Sequence, residues 1–324
     1  MDIELLRERA EIIRKTRAFF DIRGYLETDT PLLSPDLIPE SCLEVFRTDR
    51  MLPGAERKKP YWLIPSPEIW MKRLIARHMT NMYQICKCFR NGESTGRIHS
   101  PEFTMLEYYT MNAGYRDSLV LTEELFSSLY PAPLPFLRVT MEEAFAEWAG
   151  FDLYRAAENG SLAEEARRLG LDPPRDLDTP ALYDLVFIHA VEPKLPRETP
   201  VALIDYPAFV PCLAKKDPAG KTVERWELYI NGVELANCYS EETDPREVRR
   251  FFSLEEKTKK ENALVPHDVD ENYWKNFSAF PRCSGTAMGL DRLIMIITGR
   301  SSIDAVLPFP MNDGSRRREA PETI

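Results

Sequence analysis

The chain has 324 residues, 44% of them hydrophobic and 29% charged, and a formal net charge of −10. That length suits one large or two ordinary globular domains, and the acidic balance opposes broad capture of nucleic-acid phosphates. The opening Met1-Asp2-Ile3-Glu4 is not a signal peptide, no run of about 18 apolar residues follows, and six scattered cysteines make no disulfide framework, so a reduced, cytoplasmic protein is expected.

Residues 3 to 23 read as an amphipathic helix, with Leu6, Ala10, Ile13 and Phe20 at three- and four-residue spacing and Gly24 as the stop. Tyr25 to Thr30 alternates like a strand that ends at Pro31. Ser66-Pro67-Glu68 reads as a helix start, running to about Arg77. Two strands follow at 82 to 90 and 101 to 110, joined by a polar loop from Asn91 to His99. The Pro-rich stretch 131 to 200 is predicted to be a helical insertion packed on the main sheet. Its capping boxes are Thr140-x-x-Glu143, ending at Gly150, and Ser161-x-x-Glu164, ending at Gly170.

Val201-Ala202-Leu203-Ile204 is a candidate buried strand. Glu224 to Ile230 and Val233 to Asn237 flank Asn231-Gly232, the signature of a hairpin on a type I′ turn. Asp244-Pro245 starts another helix, and Gly285 to Gly299 reads as strand, turn and helix. Hairpin-connected strands on both sides of a helical block predict an α+β fold with an antiparallel sheet rather than a doubly wound one. The glycine-rich phosphate loops of dinucleotide and P-loop folds are missing.

Three separated segments carry chemistry: Gly24 to Pro31; Cys88-Phe89-Arg90-Asn91 through His99-Ser100-Pro101-Glu102-Phe103 to Tyr109; and Gly285-Thr286-Ala287-Met288-Gly289-Leu290-Asp291-Arg292. In that order they resemble motifs 1, 2 and 3 of class II aminoacyl-tRNA synthetases. Ser66-Pro67-Glu68-x-x-x-Lys72-Arg73-Leu74 and Glu234-Leu235-Ala236-Asn237-x-Tyr239-x-Glu241 narrow the resemblance to lysyl-tRNA synthetase. Motif 1 begins only about two dozen residues in, which leaves no room for an anticodon-binding domain. The chain is therefore expected to be a single catalytic domain over residues 1–324, similar to the bacterial elongation factor P lysine ligases, paralogues of lysyl-tRNA synthetase.

The chemistry explains why such residues are needed. Joining a carboxylate to the α-phosphate of ATP requires no covalent enzyme intermediate; the obstacles are repulsion between anions and in-line placement, which fixed cations overcome. By the resemblance, Arg90 bridges the amino-acid carboxylate and the α-phosphate, a task for a planar bidentate donor. Arg97 and His99 would meet the outer phosphates and Arg292 the γ-phosphate. Phe103 would stack on adenine opposite Arg292. Glu93 is matched to the glutamate that follows Arg-Asn in the synthetases, displaced here by Gly92. Glu227 and Glu234 correspond to the carboxylates that hold Mg²⁺ on the phosphates; without motif 3 they would read as surface charge on a hairpin.

A substrate with ammonium groups needs buried carboxylates. Glu68 resembles the residue that meets the backbone-type amine, and Glu107, Tyr109 and Glu241 resemble the side-chain ammonium pocket, lined further by Asn237 and Tyr239. Taken singly, each could instead be a structural ion-pair member; together they define a cationic amino acid. Ala287 stands where the synthetases have glycine, and its methyl should disfavour α-lysine and suit (R)-β-lysine. Cys238 replaces a usual glycine beside the pocket. The implied reaction activates lysine or (R)-β-lysine as its adenylate and passes it to a lysine of elongation factor P. A lysine aminomutase would act upstream, and motif 1 would form a homodimer interface. The competing readings are a truncated lysyl-tRNA synthetase-like enzyme charging tRNA or another small acceptor, and an inactive regulatory paralogue.

Overall fold

The computed structural model describes residues 3–51, 53–54, 58–92, 96–130 and 134–311. Ile3–Ile22 forms helix α1, burying Leu5, Ile12, Phe19 and Phe20 along one face. Gly24, at φ 75°, turns the chain out of it in a conformation that side chains resist. The strand expected from Tyr25 to Thr30 shrinks to β1, Leu26–Glu27, an edge strand that pairs with only two residues of its neighbour. Leu33–Ser34 (β2), Arg47–Met51 (β3) and Lys58–Leu63 (β4) make a small separate sheet in the order β2-β4-β3. Helix α2, Glu68–His78, starts one residue later than expected, because Pro67 itself occupies the cap position and Ser66 does not.

The main sheet takes its remaining strands from β5 (Met82–Phe89), β6 (Glu102–Met111), β7 (Leu137–Thr140), β8 (Val201–Pro207), β9 (Thr222–Ile230), β10 (Val233–Ser240) and β11 (Cys283–Gly289). Its order is β1-β5-β6-β11-β10-β9-β8-β7. The six central strands are antiparallel, and each edge carries one parallel partner, β1 on β5 and β7 on β8. A parallel pair requires a long crossover. The helical stretch predicted over 131–200 is that crossover: α4 (Met141–Ala144), α5 (Leu153–Glu158), α6 (Leu162–Arg168) and α7 (Thr179–Val186). Leu153, Tyr183 and Val186 of these helices, with Phe145 just after α4, share a core with Val201, Leu203, Tyr206 and Tyr229 of the sheet.

The Thr140 capping box forms, with reciprocal bonds between Thr140 and Glu143 of 3.1 and 2.8 Å. The Ser161 box does not, because Ser161 takes near-helical angles and its hydroxyl makes no cap bond. Helices α3 (Tyr115–Leu129) and α8 (Pro245–Asn262) and the C-terminal α9 (Leu290–Ile297) complete the α+β architecture. The strand β11 runs straight into α9 through Gly289, without the expected intervening turn. Among the described residues, no helix is long and apolar enough to cross a membrane.

Alternation across the sheet separates core from site. Tyr83, Tyr108, Thr286, Cys238 and Trp226 are successive register partners on one face, where Tyr83, Tyr108, Cys238 and Trp226 join Phe20, Leu125 and Phe126 in the principal core. The opposite face carries two polar rows. One is Gln84, Glu107, Ala287, Asn237 and Glu227; the other is Met82, Tyr109, Gly285, Tyr239 and Arg225.

Candidate active site

Two cavities lie on the polar face of the sheet and share a wall made by Arg90, Met105, Asn237 and Ala287. The first is lined by Glu68, Glu107, Tyr109, Tyr239 and Glu241 together with that wall, so every residue expected to meet the amino acid is gathered there. The second is lined by His99, Phe103, Glu234 and Arg292 from the residues expected to bind ATP.

Three expectations are not matched by placement. Arg97 is exposed and donates to the carbonyl of Ser301 at 3.2 Å, because the loop that carries it pairs back through Ile303 N and the Arg97 carbonyl; it lines neither cavity. Glu227 is 8% exposed and lines neither cavity; it is ion-paired to Arg225, with its second oxygen accepting from Tyr229 Oη at 2.8 Å. Cys238 points into the core on the far face, as strand alternation requires of a residue between Asn237 and Tyr239. The expected role of Glu93 lies outside the described residues.

The hairpin brings Glu234 to the site by two devices. Asn231 and Gly232 both have positive φ, 55° and 72°, as a type I′ turn demands. A bulge between Glu234 and Ala236 then shifts the register. Leu235 and Ala236 consequently both face the core, and Glu234 shares a face with Asn237 despite their odd spacing. Arg292, from the first turn of α9, crosses over to donate to the Glu234 carbonyl at 2.7 Å and to the Ile98 carbonyl at 3.1 Å. It thereby links motif 3, the motif 2 loop and the hairpin. Arg90 sits 5.2 Å over the ring of Phe103, the partner that sequence matching assigns to Arg292.

Lys72, part of the α2 motif, lies buried behind Glu68 and Glu241, which line the first cavity. Its ammonium lies 2.5 Å from Glu68 and 2.7 Å from Glu241, with the side chain 0% exposed. Tyr239 Oη adds a 3.0 Å bond to Glu68, and Tyr109 Oη donates to Glu107 at 2.7 Å. Burial alone would lower Lys72, but Glu241 and Glu68 outweigh it and hold its ammonium well above the usual lysine value. One internal cation cannot offset all these acids. Burial pushes the Glu241 carboxyl up to about 8 against the pull of Lys72. Burial, then the charge of Glu68, raises Glu107 well above the carboxylate range. Buried carboxyls with raised pKa and a shortage of positive charge form a receptor for an ammonium group.

Gly285 gives this pocket its depth. A Cβ there would fall 2.5 Å from Glu241 Oε1 and 2.6 Å from Tyr109 Cε1, so only glycine lets the strand backbone approach both groups. In the second cavity burial, then the charge of Glu227, holds Glu234 up at about 7, with Arg292 pulling it down. The Glu234 carboxyl offers hard oxygen donors that fit a Mg²⁺ ion, whereas both oxygens of Glu227 are engaged by Arg225 and Tyr229. Arg9 of α1 braces the site from beneath, pairing with Asp291 at 2.7 Å and with Thr104 at 3.2 Å.

The family of class II tRNA synthetases specific for Asp, Lys and Asn matches residues 3–313 of the chain. An elongation factor P (R)-beta-lysine ligase from Vibrio atlanticus is 36% identical over 314 residues, covering 95% of this chain and 96% of that protein. Enzymes of the same name from Avibacterium paragallinarum and Haemophilus influenzae (strain PittGG) are 36% and 35% identical, each alignment covering 96% of both chains. The chain thus belongs to the class II tRNA synthetase family and, within it, to the elongation factor P (R)-beta-lysine ligases.

Proposed function

We propose that the protein uses ATP to activate (R)-β-lysine or lysine as the aminoacyl adenylate and transfers it to a lysine side chain of elongation factor P. The observation that carries this reading is the shared wall. Arg90 and Ala287 belong at once to a cavity rich in carboxylates and to a cavity holding Arg292 and Phe103. A ligand carboxylate held at that wall faces its ammonium toward Glu68, Glu107 and Glu241, and Arg90 can hold carboxylate and α-phosphate oxygens together. A carboxylate oxygen then attacks the α-phosphorus and pyrophosphate leaves. The amine of the acceptor next forms the amide bond as AMP departs.

Glu234 would hold a Mg²⁺ ion, which supplies positive charge to the phosphates when bound; Glu227 could join it only by giving up its bonds to Arg225 and Tyr229. Arg292 and His99 would face the outer phosphates, and Phe103 the adenine. The methyl of Ala287 stands between register partners Glu107 and Asn237, which supports selection for an amine moved one carbon along the ligand. Exposed Ile22, Leu26 and Leu33 near α1 and β1 support a homodimer through that surface. A cytoplasmic location, a lysine aminomutase upstream and no reaction with tRNA belong to the same reading.

The test is mass spectrometry of purified elongation factor P incubated with the protein, ATP and each lysine isomer, with total tRNA as a parallel acceptor. A mass increment on elongation factor P, larger in yield with (R)-β-lysine, is expected. Aminoacylation of tRNA with an unmodified protein acceptor would overturn the reading.

A further inference from the structure

Glu40 lies outside every motif used above, yet it lines the amino-acid cavity together with Arg90 and Glu68. It sits on the loop between β2 and β3, which is fixed to α8 from behind. The buried Lys259 donates to the carbonyls of Glu40, at 2.8 Å, and of Leu43. The amide of Ser41 donates to Glu255 at 2.9 Å. These contacts are made to the loop backbone, so they hold the loop in place without engaging the Glu40 carboxylate.

Position separates Glu40 from Glu107 and Glu241, and pairing separates it from Glu68, which is equally half-buried but bonded to Lys72 and Tyr239. Glu107 and Glu241 are buried, Glu241 against Lys72, whereas Glu40 is partly open and its loop neighbour Cys42 is an exposed lining residue. This loop lines the cavity together with Arg90, the residue placed against the adenylate.

That second substrate has a proton to lose. A lysine side chain has a pKa of about 10.4, so at pH 7 only about one in 2,500 is a neutral amine able to attack a carbonyl carbon. We propose that Glu40 is the catalytic base that accepts this proton from the incoming lysine. The inference rests on the transfer reaction proposed above. The ammonium gives one proton to the Glu40 carboxylate, the freed lone pair forms the amide C–N bond, the bond from the acyl carbon to the phosphate oxygen breaks, and AMP leaves with that electron pair while the second proton, shed as the nitrogen becomes an amide, passes to the departing phosphate.

The electrostatics suit the task. Burial, then the charge of Glu68, holds Glu40 up at about 7, against Arg90, Lys259 and Lys72. Tyr239, Cys42 and Glu255 also border it. A carboxylate with that pKa remains partly ionised at neutral pH and is a stronger base than an ordinary one.

The experiment compares wild type with Glu40→Gln and Glu40→Asp in three assays: lysine-dependent ATP–pyrophosphate exchange, transfer to elongation factor P, and transfer to hydroxylamine, an amine that is unprotonated at neutral pH. The Gln variant should lose about 100-fold or more in transfer to the protein at pH 7. That loss should shrink about tenfold per pH unit toward pH 9, as the acceptor sheds its own proton. Hydroxamate formation should fall far less, and Asp should restore part of the protein transfer. Equal losses in exchange and in both transfers, or a loss independent of pH, would overturn the assignment and make Glu40 a ligand-binding or structural acid. Hydroxamate formed by wild type without any modified elongation factor P would instead refute the functional reading, leaving the two failures distinct.

Discussion

Gly285→Ala should be far more damaging than one added methyl suggests. The new Cβ would lie 2.5 Å from Glu241 Oε1 and 2.6 Å from Tyr109 Cε1, about 1 Å inside ordinary contact distance. Neither side can yield easily. Gly285 is paired with Tyr109 on one flank and Tyr239 on the other, so the backbone cannot retreat without breaking ladder bonds, and both contacted side chains are buried. Overpacking of this kind costs about 1–3 kcal/mol. Displacing Glu241 and Tyr109 by about 1 Å should cost about 100-fold in kcat/KM for the amino acid. Urea denaturation and lysine-dependent pyrophosphate exchange read the two effects. Gly289→Ala on the same strand is the comparison, since its nearest contact is an ordinary 3.4 Å to Arg292 Cδ, and its stability should stay within about 1 kcal/mol of wild type. A Gly285→Ala protein with normal stability and normal KM would refute this account of the pocket.

Lys72→Met leaves Glu68 and Glu241 without their shared cation and should lose about 3–5 kcal/mol at pH 8. Because protonated carboxyls need no counterion, the deficit should narrow as pH falls toward 5; a denaturation gap that ignores pH would contradict the ion-pair reading. A Glu241 carboxyl at about 8 in the empty pocket must give up its proton to receive an ammonium, so lysine binding should release protons at pH 7. Affinity should then rise with pH up to about 8, and calorimetry in buffers of different ionisation heat that detects no proton release would disprove it. Ala287→Gly should shift the ratio of kcat/KM toward α-lysine over (R)-β-lysine by about 10-fold; an unchanged ratio removes the steric role assigned to that methyl.

Elements whose local chemistry stood alone were readable from the chain: α1 from its spacing, the β9–β10 hairpin from Asn231-Gly232, α8 from Asp244-Pro245. The residues that line the amino-acid cavity are named only through the motifs' resemblance to lysyl-tRNA synthetase; alternation puts Glu107 with Tyr109 and Asn237 with Tyr239 on one face of the sheet, but nothing local brings in Glu68 from α2. What long-range packing decides was not readable. Glu68 and Lys72, four apart on a helix, look like a surface pair until Glu241 arrives from another strand and buries them. Arg225 gives no sign that it will occupy Glu227, and the cap at Ser161 fails because its backbone leaves the extended conformation a cap needs and its hydroxyl makes no cap bond. Glu40 belongs to no motif, and only the loop's attachment to Lys259 and Glu255 brings it to the cavity.

The bulge at Leu235 means that the number of residues between the Asn231-Gly232 turn and Tyr239 is as tightly constrained as their identities. Deleting one residue there would restore regular pairing, and either Glu234 would rotate into the hydrocarbon interior or Asn237, Tyr239 and Glu241 would exchange places with Ala236, Cys238 and Ser240. This short stretch should therefore accept changes of letter at its core positions far more readily than any change of length.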